Sequence, residues 1–304
     1  MTPDLSFLGQ LSALMVSFLF SITSTFFTLG GRQVGSMVLN RTRLLVAVAF
    51  IALAHPLLGV PLPIHAETKR ITWLAVSGVL GLVMGDGFLF MAFMSIGPRL
   101  SMLLMALNPA IAAVLAWIFL GESLSVLQVF AMALTLSGIA WVVMDTNGQM
   151  KRDPGQGKAY LLGILFGLGG ATGQALGLVT AKPGLAGGFP AISGTLIRML
   201  TASAFLWAIT LLGGQAGATV RSLRARPQAI KFILAGAFTG PFLGVTLSLF
   251  AIQNAEIGVA STLMALTPVL LLPIGRFVFG ERIGWRAILG TLVAITGVAL
   301  LFLV

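Results

Sequence analysis

The chain has 304 residues, of which 58% are hydrophobic and only 9% charged, and its formal net charge is +10. A soluble globular chain carries about 25% charged residues, so this one has too little polar material to cover a water-facing surface, and lipid is its natural solvent. It contains no cysteine, which excludes disulfides, thiolate chemistry and cysteine-based zinc sites.

The first apolar run follows Met1-Thr2-Pro3-Asp4. That start has no basic region, so the run is read as a retained span and not as a cleaved signal peptide. A membrane helix needs about 20 mostly apolar residues. Ten stretches meet this, at 6–29, 36–54, 72–95, 100–120, 126–144, 159–179, 190–212, 229–252, 258–279 and 284–303. Barrel strands would be shorter and would alternate apolar with polar residues; these runs are long and apolar all round. Trp73, Trp117, Trp141 and Trp285 fall near predicted span ends, where aromatic belts sit at headgroup depth. The basic residues lie mainly in short loops between apolar runs, where they anchor helix ends, and no nucleic-acid partner is expected. The loop from His55 to Ile71 is rich in proline, and both histidines, His55 and His65, are read as solvated loop residues without ligand geometry.

The longest polar interruption is DTNGQMKRDPGQGK at 145–158, whose Asp153-Pro154-Gly155 is turn chemistry. It divides the chain into a first unit at 1–144 and a second at 159–304, with 145–158 as linker. The two units carry the same text. LLMALNPAIAAVLAWIFLGE at 103–122 matches TLMALTPVLLLPIGRFVFGE at 262–281. The offset from Pro109 to Pro268 is 268 − 109 = 159, the same as from Glu122 to Glu281, from Gly81 and Gly85 to Gly240 and Gly244, and from Gly138 to Gly297. The chain therefore reads as two copies of one unit. Five helices per unit is an odd number, so the second copy would lie upside down relative to the first. The expected fold class is an all-α integral membrane protein of ten transmembrane helices in two inverted five-helix repeats, with a site near mid-depth at the repeat interface.

The paired Pro…Gly-Glu segments, each followed by an apolar helix with a late glycine, resemble the EamA type of the drug/metabolite transporter superfamily. Gly121-Glu122-Ser123-Leu124 is similar to that family's turn between the fourth and fifth helices, and Gly280-Glu281-Arg282 to the equivalent turn between the ninth and tenth. The resemblance implies a multi-pass protein of the bacterial inner membrane. It would move small metabolites, often outward, by alternating access. Its implied partners are a small-molecule substrate, membrane lipids and a coupling proton, with the protein a monomer or homodimer. Glu122 and Glu281 are read as structural, each placed to cap the next helix through the macrodipole.

Asp86, in VMGDGFLFM, is the acid that falls well inside a span. Such an acid costs about 2.5–3.5 kcal/mol on insertion scales and is normally aimed at a cavity or partner. It is either a coupling carboxylate or a carboxylate paired with an arginine. Its repeat counterpart is Val245, so symmetry does not demand it. Arg198, inside the seventh span, either pairs with Asp86 or a carbonyl, or binds an anionic substrate group. Arg41 and Arg43 are expected to reach the interface. Pro109 and Pro268, read as mid-helix breaks, deprive the carbonyls of Met105 and Met264 of their usual donors; such breaks sit in protein or along a watery cavity. Asn108 and Thr267 precede them as a symmetric polar pair near the pathway, and Pro241 bends the eighth span. Ser21, Thr25 and Gln174 add polar groups in the first and sixth spans.

No P-loop and no His-Glu-x-x-His occur, and no catalytic residue, metal site or cofactor is expected. The sequence reads as a secondary active transporter of small metabolites, including amino acids or related solutes, acting as an exporter. A multidrug or organic-cation exporter, with Asp86 attracting the cation, and an intramembrane lipid-handling enzyme are the alternatives. Orientation is indicated both ways: the charge bias between loops puts the termini outside, and the family resemblance puts them inside.

Overall fold

In hydrocarbon a backbone N–H or C=O without a partner costs several kcal/mol, so a spanning chain must close its hydrogen bonds within helices or a sealed barrel. The computed structural model, which describes residues 5–145, 157–279 and 284–303, uses helices and contains no strand among those residues. The first half runs through α1 (Leu5–Val34), α2 (Ser36–Leu57), a short 3₁₀ turn at Pro63–His65, α3 (Thr68–Gly78), a π-helical stretch (Val79–Gly85), α4 (Asp86–Met105), α5 (Asn108–Leu120) and α6 (Val126–Asp145). The second half runs through α7 (Gly157–Leu185), α8 (Ala191–Leu212), α9 (Ala216–Ala225), α10 (Pro227–Ala237), a second π-helical stretch (Phe238–Gly244), α11 (Val245–Asn254), α12 (Ile257–Met264), α13 (Thr267–Phe279) and α14 (Trp285–Leu303). Eight helical segments are long and apolar enough to cross a membrane, joined by the shorter apolar helices Asn108–Leu120 and Val126–Val142. Most of the predicted linker, 146–156, and Glu281 with the rest of its Gly-Glu turn lie outside the described residues.

The repeat is visible element by element. The two π-helical stretches, and the starts of α5 and α13 and of α6 and α14, all stand 159 residues apart, as in Val79 and Phe238 (238 − 79 = 159). One boundary differs from the sequence reading. A break was expected between 95 and 100, yet α4 continues to Met105 and the chain turns at Ala106–Leu107. In the second half the corresponding helix does open, at Ala255–Glu256.

The halves are interleaved through glycine. α7, from the second half, lies on the first π-helical stretch: a Cβ on Gly177 would sit 2.7 Å from the Gly81 Cα, and one on Gly173 would sit 2.9 Å from the Gly85 Cα. In the reciprocal contact α1 lies on the end of α10 and the second π-helical stretch, where Gly236, Gly240 and Gly244 face Phe27, Thr23 and Phe20. The final helices pack on each other in the same way, with Gly138 against Gly290 and Ala294, and Gly297 against Thr135. Small residues allow backbones this close where water supplies no hydrophobic drive between helices. The outer faces carry large apolar side chains such as Leu53, Trp117, Phe119 and Phe277, suited to lipid contact.

Candidate functional site

Asp86 is placed by the π-helical stretch that precedes it. Its backbone N–H donates to the Gly81 carbonyl, five residues back, which is the π spacing. π turns inside α-helices recur at functional sites, and here the turn ends at the carboxylate. A Cβ on Gly85 would meet the Gln174 backbone nitrogen at 2.9 Å. The absence of that Cβ lets α7 approach, and Gln174 Nε2 then donates to Asp86 Oδ1 at 3.0 Å.

The other carboxylate oxygen takes a charge-assisted bond from Arg43 Nη2. The side chains of Asp86 and Arg43 are each 13% exposed. Arg43 is fixed further by Nε donating to Asn40 Oδ1 at 2.8 Å, and its guanidinium lies 5.5 Å and 5.9 Å from the ring centroids of Phe27 and Phe90. The expectation that Arg43 snorkels to the interface is thus corrected: a carboxylate one helix away offers a better partner than the headgroup region. Asp86 and Arg43 belong to the first half and Gln174 to the second, so the charged centre straddles the repeats.

Arg198 does not pair with Asp86, whose oxygens are engaged by Arg43 and Gln174. It is 3% exposed, and its Nε and Nη1 have no hydrogen-bond partner. Arg41 is also buried, against the short helix α9 and the residue before it. Its Nη1 donates to Thr219 Oγ1 at 3.2 Å and its Nη2 to Gln215 Oε1, while Trp207 Nε1 donates to its carbonyl at 3.2 Å.

The helix-break residues take positions other than those expected. Pro109 is the second residue of α5 and Pro268 the second of α13, each just past a two-residue turn. A proline is tolerated there because the first turn of a helix has no intrahelical acceptor for its N–H. The chain is therefore interrupted before each proline instead of kinked at it. Thr267 Oγ1 donates to the Met264 carbonyl at 3.1 Å and approaches the Ser17 carbonyl at 3.4 Å, so the carbonyl freed at the break has a donor. Asn108 is half-buried at the matching position. Pro241 is buried within the second π-helical stretch. Ser21 Oγ and Thr25 Oγ1 donate back to Phe18 and Ser21 carbonyls in their own helix, at 2.7 and 3.1 Å.

Two further corrections concern links between halves. His55 is fully buried at the end of α2, with Nδ1 2.8 Å from the Ile51 carbonyl and Nε2 3.2 Å from Ser193 Oγ in α8; it is not a solvated loop residue. Glu122 does not cap α6. That position is taken by Ser125 and Gln128, which exchange bonds of 2.8 and 3.1 Å as a capping box. Gly121 closes α5 in the left-handed conformation, φ 69°, and turns Glu122 toward the other half. There Oε2 accepts from the Ile257 N–H at 2.8 Å, at the start of α12, and Oε1 accepts from Lys182 Nζ at 2.6 Å. Lys182 also donates to the Ala255 carbonyl at 2.9 Å. These groups, with Ser6, Gln253, Asn254 and Glu256, line a cavity of about 290 Å³. Among the described residues no cluster of histidine and acidic side chains is placed to hold a metal ion.

The reciprocal packing of two homologous halves is matched at the level of sequence families. The model of the EamA-like transporter family matches this chain twice, at residues 7–144 and 161–303. The chain belongs to the EamA-like transporter family. The double match makes it a two-repeat, multi-pass membrane protein of a transporter family. A solved crystal structure with 16% sequence identity superposes with a TM-score of 0.77, over 96% of this chain and 95% of its own, and shares the fold. No curated protein matches. Lys182 and Ser193 were not singled out from sequence as site residues, and Arg43 was read only as an interface anchor. The weak signal for Arg43 was Asn40 three residues before it, on the same helical face.

Proposed function

We propose that this EamA-family protein is a secondary transporter that exports small metabolites by alternating access, through ten crossing helices in two inverted halves. The observation that carries the reading is the centre at Asp86. A carboxylate and a guanidinium, each 13% exposed, are held inside the spans and bound from both repeats. A buried ion pair is weak evidence for stability, since apolar replacements of similar volume are often neutral or stabilising. Its presence at the joint between two moving halves is better accounted for by a coupling role. Protonation of Asp86 would release Arg43 and loosen the hold on Gln174, which links proton binding to the packing of α2 and α7 around the first π-helical stretch.

The organic-cation alternative needs Asp86 free to attract an ammonium, and Arg43 already occupies it. The lipid-handling enzyme alternative needs paired acid and base groups, and Asp86 has a cation and an amide instead. The test is flux in proteoliposomes under an imposed pH gradient. Asp86→Asn inserts and folds but loses gradient-driven accumulation. Wild-type accumulation by that variant would remove Asp86 from the mechanism.

A further inference from the structure

We propose that Arg198 is the receptor for the carboxylate of a monoanionic substrate, an inference that rests on the transport reading and gives it a substrate class. Arg198 is 3% exposed, and its Nε and Nη1 donors are without partners. A guanidinium is always charged and presents five donors in a planar fork matched to a carboxylate. A buried guanidinium with unsatisfied donors is costly in a membrane protein, where charged side chains pair with one another or with carbonyls, or mark a substrate pathway.

Its surroundings are backbone and small residues. Arg198 faces a floor of glycines: a Cβ on Gly81 would lie 3.2 Å from Nη2, one on Gly78 would lie 2.6 Å from the Arg198 carbonyl, and Gly177 packs directly behind Gly81. Gly81 begins the five-residue π step that ends at Asp86, so Arg198 packs against the start of the step and the Asp86–Arg43 pair stands at its end.

The repeat supplies the comparison. α2 and α8 are both 22 residues long, and Arg43 and Arg198 are each the eighth residue, since 43 − 36 and 198 − 191 are both 7. Two arginines thus hold the same helical position in the two halves. One has its carboxylate built in as Asp86. The other has no acid of its own at the equivalent position, which is Val245 (86 + 159 = 245), and the nearby Asp86 is already bonded to Arg43 and Gln174. The three groups sum to one unit of positive charge, and a substrate with one net negative charge completes the set. Asp86 is engaged by Arg43 and Gln174 and is not open to a substrate ammonium, so a plain carboxylate is preferred over a zwitterion.

The test is calorimetric binding to the full chain, purified in non-ionic detergent without anionic lipid. The probes are acetate, 4-methylpentanoate and phenylacetate, each beside its primary amide, with L-leucine as the zwitterion of similar shape. Wild-type protein binds at least one carboxylate ten or more times tighter than the paired amide, and 4-methylpentanoate tighter than L-leucine. Arg198→Gln loses that preference, and Arg198→Lys keeps part of it. The unliganded melting temperature of Arg198→Gln is not below that of wild type, as follows if the guanidinium has no partner at rest; a structural pairing would lower it. Equal binding of carboxylates and amides, or no carboxylate binding at all, by folded wild-type protein overturns the proposal even if Arg198→Gln fails to fold. Gradient-driven flux of the bound carboxylate by Arg198→Gln at the wild-type rate overturns it while leaving the transport reading intact.

Discussion

Removing one member of the Asp86–Arg43 pair should cost far more than removing both. At an effective dielectric of 20, two unit charges 4 Å apart interact by about 4 kcal/mol, and deleting one partner of a buried pair costs about 3–5 kcal/mol. Here the loss is smaller because Arg43 keeps Asn40 at 2.8 Å and two aromatic faces, and Asp86 keeps Gln174 at 3.0 Å. Asp86→Asn and Arg43→Gln should each destabilise by about 2–3 kcal/mol. The double variant leaves two neutral amides able to bond to each other, so its loss should be near 1 kcal/mol. The coupling energy is then about 3–5 kcal/mol, at or above the upper end of about 3 kcal/mol for contacting residues. Equilibrium unfolding in mixed micelles measures all four corners of the cycle. Additive losses, with coupling below about 0.5 kcal/mol, would refute the pairing on which the site is built.

Two other packing arguments yield rankings. Gly138→Ala should cost more than Gly236→Ala: the first Cβ meets the backbone at Ala294 N, 2.4 Å, and Gly290 O, 2.6 Å, whereas the second meets the Phe27 ring, which can rotate away. Overpacking of the first kind costs about 1–3 kcal/mol, and thermal melts in detergent would order the two. Glu122→Ala should destabilise more than Glu122→Gln or Lys182→Met, because only the alanine leaves both the Ile257 N–H and Lys182 Nζ without their carboxylate; equal effects would show that the Ile257 bond contributes nothing.

The duplicated text and the helical character were readable from sequence because both are local signals: matched Pro, Gly and Glu at one offset, and apolar runs of spanning length. The same locality produced the misreadings. Nothing near Glu122 in the chain indicates Ile257, 135 residues away, and a helix following a Gly-Glu turn is the obvious candidate for a cap. His55 looked like loop because of the prolines after it, while the chemistry that buries it comes from Ser193 in the other half. Pro109 looked like a kink because the run around it is uniformly apolar, and a two-residue turn at Ala106–Leu107 leaves no mark in hydropathy. Asp86 and Arg198 were both recognisable as misplaced charges. Which arginine pairs with Asp86 depends on how the π step turns α4, and sequence periodicity holds no record of a π step.

The natural absence of cysteine allows the central claim, a polar centre shared by two halves and reached from each side in turn, to be tested with one substitution. Thr267→Cys places a near-isosteric thiol at the α13 break, and a membrane-impermeant maleimide is applied to either face of sealed vesicles with the pH gradient imposed in each direction. The account predicts labelling from one face in one condition and from the opposite face in the other, with Asp86→Asn held on a single face. Labelling from both faces at once, or from neither under any gradient, would contradict it.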